Sequence, residues 1–202
     1  MPGRGNRLDA GAGCHYGDRM PPDSAPPTPV SDRVRHATAL DAPGIGALKV
    51  RAWRAAYGSF MSRALLDSLD PAEDAARWAE YLSDIPADHR LWVSEAAGGV
   101  TGFCRTGPTD ARRDADLGGA AAEVHGLYID PARIGTGLGR ALFAHAVTDL
   151  ERRGHGPVCV YAYTPNTTAV RFYERAGFTA DGTTRLDPDD GIEVPEVRLV
   201  KR

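Results

Sequence analysis

Lysine is almost missing from this chain: it stands at positions 49 and 201 and nowhere between. That gap removes one large class of phosphate chemistry, because a nucleoside-triphosphate loop of the Gly-x4-Gly-Lys-Ser/Thr kind needs its lysine. Cysteine is nearly as scarce. Cys14, Cys104 and Cys159 are widely spaced, with no Cys-x-x-Cys pair and no even disulfide framework. Cys104 and Cys159 lie in strand-like runs and read as buried free thiols, which points to a reducing compartment. No apolar run approaches the length of a membrane span, and no hydrophobic signal region opens the sequence. A soluble cytoplasmic protein is the expectation. Excess positive charge is missing too. The net charge of −3 and a pI near 6.1 argue against nucleic acid as a partner. The basic residues present are nearly all arginine, which suits local, geometrically defined anion contacts.

What is present is glycine, concentrated in one informative place. Residues 122–129 are apolar and β-branched enough for a strand, and Asp130-Pro131 marks its break. Beyond the break, Gly139, Leu142, Phe143, Ala146, Val147 and Leu150 recur on one helical face. The turn between is Ile134-Gly135-Thr136-Gly137-Leu138-Gly139-Arg140. A glycine-rich turn from strand to helix aims free backbone N–H groups and the positive helix end at one point, which makes an anion site. A dinucleotide fingerprint would require a small residue where Arg140 stands, so that loop is excluded as well. Arg133 and Arg140 flank the turn as candidate anion contacts, and each reads equally as a solvated surface arginine.

The length of 202 residues suits one domain with a real core. Residues 1–31 hold six prolines and five glycines and little that packs. They read as a disordered tail, either a tether or an over-long start with Met20 inside it, leaving 32–202 as the folded domain. A short strand is expected near Val34. Asp41 is placed to cap a helix with Pro43 in its first turn and Ile45, Leu48, Ala52 and Ala55 on one face. Val50, Trp53 and Tyr57 project from another side of that helix, either as core or as a wall. Asp70-Pro71-Ala72-Glu73 opens a second helix burying Ala75, Trp78, Ala79 and Leu82. Residues 91–95 and 101–106 read as a hairpin about Gly98-Gly99. Residues 107–121 read as a flexible polar connection. Residues 158–163 form a further strand, Asn166 opens a short helix stopped by Gly177, and 178–184 with 194–200 make a final hairpin. Interleaved strands and helices give an α/β or α+β single domain.

The second signal is Asn166-Thr167-Thr168-Ala169-Val170-Arg171-Phe172-Tyr173-Glu174-Arg175-Ala176-Gly177-Phe178. With the glycine turn upstream of it, in that order, the chain resembles the GNAT-type N-acetyltransferase superfamily over residues 33–201. The resemblance implies a mixed, mostly antiparallel central sheet flanked by helices, and acetyl-CoA as co-substrate. It implies a pyrophosphate cradle at Ile134, Gly135, Thr136, Gly137, Leu138, Gly139 and Arg140, and a carbonyl-polarising backbone N–H within Leu127, Tyr128 and Ile129, beside a bulge. Asn166 resembles the residue that bonds the pantetheine arm, and equally a helix N-cap. Tyr173 matches the tyrosine that protonates the leaving thiolate, and Glu123 stands where a glutamate serves as base, with His125 its rival. One departure is plain. The family's Arg or Gln before the first loop glycine is Ile134 here, which shifts the weight onto backbone amides.

An alkylammonium of pKa near 10 is only about one part in a thousand free base at pH 7, so a base near the acceptor is useful. The resemblance thus implies direct acetyl transfer to a primary amine in a ternary complex, with no metal and no covalent intermediate. The acceptor is a small molecule or a peptide amine, and the protein a monomer or homodimer. The alternative is a non-catalytic acyl-CoA-binding regulatory domain.

Overall fold

The computed structural model describes residues 32–96, 99–186 and 193–202. The tail at 1–31 and Gly98 of the expected hairpin turn lie outside the described residues. The strands are β1 (Arg33–His36), β2 (Arg90–Ala96), β3 (Gly99–Pro108), β4 (Ala122–Ile129), β5 (Val158–Tyr163), β6 (Thr179–Arg185) and β7 (Glu196–Lys201). The helices are α1 (Ala42–Tyr57), α2 (Arg63–Ser68), α3 (Pro71–Ser83), α4 (Leu138–Arg152) and α5 (Thr167–Arg175). One seven-stranded sheet runs in the order β1-β2-β3-β4-β5-β7-β6. Every neighbouring pair is antiparallel except β4 with β5.

The period-2 alternation of the strands sorts side chains onto two faces. On one, Ala122, Val124, Val158, Val160 and Leu199 meet Leu142, Phe143, Ala146 and Leu150 of α4. On the other, Leu91, Val93 and Phe103 pack on Ile45, Leu48 and Ala52 of α1. The apolar stripe of α4 is thus buried where its spacing places it. Asp70 caps α3 by accepting from the Ala72 N–H at 2.7 Å.

Four local expectations need correction. Ala55 is exposed, because α1 turns its last stripe position away from the sheet. Asp41 does not cap α1 with its side chain. Its carboxylate accepts from the Thr38 N–H at 2.8 Å and from Arg35, closing the turn before the helix. Ala75, Trp78, Ala79 and Leu82 are only half-buried, and the buried residue of α3 is Asp74, paired with Lys49 at 3.1 Å. Lastly, residues 107–121 are not a slack connection, and the first two of them complete β3. Asp114, Leu117 and Ala121 are buried, and Arg198 holds Asp114 at 2.7 Å. The short helix α2 carries no expectation from the sequence; only its Leu66 is buried.

Candidate active site

The site begins where the sheet stops being continuous. β4 and β5 pair through Ala122↔Val158, Glu123↔Cys159 and Val124↔Val160, and then part. β4 keeps β3 as a partner as far as Ile129, and β5 keeps β7 as far as Tyr163. The Asp130 N–H donates to the Thr101 carbonyl at 2.9 Å, which fixes the parity of the β3–β4 ladder. In an antiparallel pair, alternate residues turn both backbone groups toward the partner or both away. Tyr128 therefore faces β3, while Leu127 and Ile129 present their N–H groups to the opening. The expected bulge is present but lies earlier than Leu127: Arg105 pairs with Gly126 and Thr106 with Val124, so His125 is the extra residue.

Beyond Ile129, Asp130 accepts from the Ala132 N–H at 3.0 Å and ends the strand. Gly135 and Gly137 adopt φ of +85° and +89°, the left-handed region that glycine enters without steric cost. A Cβ at either would meet nothing within 4 Å, so these glycines serve the backbone path. Gly139 does a different job. A Cβ there would come within 3.3 Å of Ile129, so its absence lets α4 sit close to β4. The first bond of α4 runs from the Ala141 N–H to the Gly137 carbonyl at 3.0 Å. The N–H groups of Leu138, Gly139 and Arg140 precede it, and the glycine N-cap brings no side chain to satisfy them. The result is an uncapped, positively polarised helix end beside the parted strands.

Side chains around this loop are sparse. Ile134 is 68% exposed. Arg133 reaches Asp32 at 3.5 Å, whereas the exposed Arg140 makes no ion pair among the described residues. Asn166 caps α5, its Oδ1 accepting from the Ala169 N–H at 3.2 Å. That bond engages only the amide oxygen, and among the described residues the NH₂ group has no hydrogen-bond partner. Tyr173 is buried among Phe143, Phe172 and Phe178. Burial first, and then Cys104, Tyr128 and Glu196 beside it, push its ionisation far above the usual tyrosine range. It stays a hydroxyl with a proton to give.

Glu123 and His125 come together as alternation predicts, their Oε1 and Nδ1 3.5 Å apart. Glu123 is only 3% exposed and accepts from the Arg185 Nη2 at 3.2 Å. Burial alone would raise its pKa, yet His125 and Arg185 outweigh that and hold the carboxyl below its ordinary value. His125 stacks on His89 with centroids 5.5 Å apart, and its Nε2 is buried without a partner among the described residues. Asp114, Glu123 and Cys159 bring donor atoms within 4.8 Å of one another. Two guanidinium groups, from Arg198 and Arg185, already supply the positive charge a metal would bring there. Tyr57 and Tyr163 meet edge to face at 5.2 Å on the same side of the sheet, while Val50 is fully buried.

Sequence reasoning missed Arg185 and Glu196, joined Nε to Oε2 at 2.7 Å. A signal existed in Glu196-Val197-Arg198, where charged residues alternate with an apolar one and fall on the same strand face.

Comparison with known proteins agrees with this geometry. Residues 87–180 match the family model of the acetyltransferase (GNAT) domain. A mycothiol acetyltransferase of Thermobispora bispora is 41% identical over 89 residues, 44% of this chain and 30% of that one. The chain thus spans under a third of that relative's length. A Mycobacterium tuberculosis protein named "Probable N-acetyltransferase" is 27% identical over 84% of this chain and 92% of its own. The crystal structure of PaiA N-acetyltransferase from Thermoplasma acidophilum, in complex with coenzyme A, superposes with a TM-score of 0.64. It is 17% identical and covers 83% of this chain and 98% of its own. Among the described residues, no helix is long and apolar enough to cross a membrane. Residues 87–180, which hold the parted strand pair and the glycine turn, are thus similar to an acetyltransferase (GNAT) domain, and the chain shares the fold of the solved N-acetyltransferase.

Proposed function

We propose that residues 32–202 transfer an acetyl group from acetyl-CoA to a primary amine, directly, within a ternary complex. The observation that carries this reading is the run of backbone donors left over at Leu127, Ile129, Gly135, Gly137 and the first turn of α4, between N–H groups that are bonded within the loop. Such a run suits an extended ligand with a carbonyl at one end and a pyrophosphate at the other. Acetyl-CoA has that form. The residues also fit it electrostatically, since the helix end is uncapped and Arg140 stands unpaired among the described residues.

In this reading Leu127 polarises the thioester carbonyl through its N–H, and a donor preset in this way costs no reorganisation during reaction. Ile129 and the Asn166 NH₂ group hold the pantetheine arm. The amides of Gly135, Gly137, Leu138, Gly139 and Arg140 receive the pyrophosphate, with Ile134 and Thr136 along the loop contributing no charge. Tyr128 lines the acceptor side. Tyr173 gives its proton to the departing thiolate. Glu123, held as a carboxylate, serves the base function through the groups it grips, His125 and Arg185. The acceptor is a small-molecule or peptide amine.

The direct test is release of free thiol from acetyl-CoA across a panel of amines and peptides. Amine-dependent release is the expected result. Tight acetyl-CoA binding with no release from any acceptor would favour the non-catalytic binding domain.

A further inference from the structure

Arg35, Arg185 and Arg198, on β1, β6 and β7, each grip a carboxylate. Arg105 of β3 does not. It is half-buried, yet among the described residues no carboxylate or carbonyl accepts from its guanidinium N–H groups. The guanidinium stands over the Tyr81 ring of α3, 5.6 Å from the centroid. A cation partly withdrawn from water with its donors unspent is costly, and an anion brought to it removes that cost.

Register puts this cation beside the opening. Arg105 pairs with Gly126, one residue before Leu127, and cross-strand partners share a face of the sheet. Phe103 and Tyr128 are the next pair on that face. Gly126 brings no side chain, and a Cβ there would meet Cε2 of Tyr128 at 2.9 Å, so the Tyr128 ring lies over the glycine. The ring thereby floors the way from Arg105 across β4 to the gap where β5 has parted. The nearby titratable groups leave Arg105 unanswered. His89 lies against Gly107 of β3, with its Nδ1 3.0 Å from the Tyr81 hydroxyl. His125 stacks on His89, but its Nδ1 already meets Glu123 at 3.5 Å. Burial first, then His125 and Arg105, lower the His89 pKa below the ordinary histidine value, with Asp88 opposing and Arg153 adding. His89 is therefore uncharged at neutral pH, and Arg105 is the permanent cation.

We propose that Arg105 binds a carboxylate carried by the acceptor amine, with the Tyr128 ring under the methylenes that join the two groups. This rests on the acetyltransferase reading above. One permanent cation beside a neutral histidine matches a single negative charge, which is what a carboxylate brings. The planar guanidinium can hold it through two parallel N–H···O bonds. The Leu127 N–H turns away from β3, so the reacting nitrogen and the carboxylate lie on opposite sides of β4. One to two strand spacings separate them, about 5–10 Å. Glycine is too short for that span. The acceptor class that follows is an amine with its carboxylate several methylenes away, as in an ω-amino acid.

The test measures thiol release from acetyl-CoA with matched acids and amides: glycine and glycinamide, 4-aminobutyrate and 4-aminobutanamide, 6-aminohexanoate and 6-aminohexanamide. Wild-type protein is compared with Arg105→Gln and Arg105→Lys, and acetyl-CoA binding is followed by calorimetry. Wild-type kcat/KM is expected to favour each longer acid over its amide by about 10-fold or more, as a charge-assisted pair provides. Glycine should show no such preference. Arg105→Gln should bring the acid-over-amide ratio down to about one, and Arg105→Lys should keep part of it. Acetyl-CoA affinity should stay within about twofold in both variants, and added salt should lower the wild-type ratio. A wild-type ratio of about one, or an Arg105→Gln loss equal for acids and amides, overturns the assignment. An equal preference for glycine over glycinamide overturns the span. Should Arg105→Gln fail to fold, the wild-type salt series decides, and a ratio unmoved by salt counts against Arg105. Wild-type protein that binds acetyl-CoA but acetylates none of these amines overturns the acceptor class, whereas failure to bind acetyl-CoA overturns the acetyltransferase reading itself.

Discussion

The glycine turn follows β4, the carboxylate–arginine face is spread over β4, β6, β7 and the loop before β4, and the two are built from different materials. The turn is backbone. The donors it leaves over are amides, its flanking side chains Ile134 and Arg140 are exposed, and its geometry depends on two glycines with positive φ. The other face is side chain. Glu123, Glu196, Asp114 and Arg198 are buried, and each is held by a partner from a distant strand or loop. Backbone donors cannot titrate, and they suit a ligand whose charge is permanent, as a pyrophosphate's is. Titratable side chains suit a ligand that must lose a proton. The two regions therefore differ in what can be changed: one tolerates new side chains and resists new dihedrals, the other the reverse.

Breaking the side-chain region should have the largest effect. Arg198 is 2% exposed and joins Asp114, Asp116 and Asp181. Arg198→Met leaves Asp114 buried with its charge uncompensated, and urea unfolding should report a loss of about 3–5 kcal/mol. Tyr173→Phe keeps the ring in its aromatic cluster and removes only the proton. We expect kcat to fall about 100-fold with acetyl-CoA affinity nearly unchanged, as steady-state kinetics and calorimetry would show. An unaltered rate across pH would take Tyr173 out of the acid role.

The backbone region should yield smaller changes. Gly137→Ala has room for its methyl but must hold φ near +89°. A left-handed alanine costs about 1–2 kcal/mol, and acetyl-CoA binding measured by titration should weaken by about tenfold. The smallest effect should be a gain. Ile134→Arg places a cation beside the cradle where an apolar side chain stands exposed, and an exposed charge contributes about 0.3–1 kcal/mol near a helix end. Affinity for acetyl-CoA should rise a few-fold at low salt and lose that gain at high salt. An Ile134→Arg variant that changes nothing would mean that the amides already satisfy the phosphates.

The same contrast explains what the sequence could disclose. The turn was legible because glycine spacing, the strand before it and the helical stripe after it are all local, and Asn166 to Phe178 supplied the second motif. The carboxylate–arginine face was not legible. Arg185 and Glu123 are 62 residues apart, and Arg198 and Asp114 are 84 apart. No period or cap links such pairs. Residues 107–121 looked slack for that reason, since Arg198 and Tyr161, the anchors of Asp114, lie on strands that come later. Helix α2 escaped notice because six residues with one buried position leave no stripe to read. The bulge at His125 has no turn residue of its own: it reflects register with β3, which the sequence of β4 alone does not carry.

The order of strands has a consequence for how the protein is made. β6 precedes β7 in the chain but lies outside it, at the sheet's edge, so β6 has no strand to join until β7 slots between it and β5. Arg185 emerges during synthesis before its partner Glu196, and Asp114 long before Arg198. A nascent chain that already carries the entire glycine turn is therefore still without its carboxylate–arginine face.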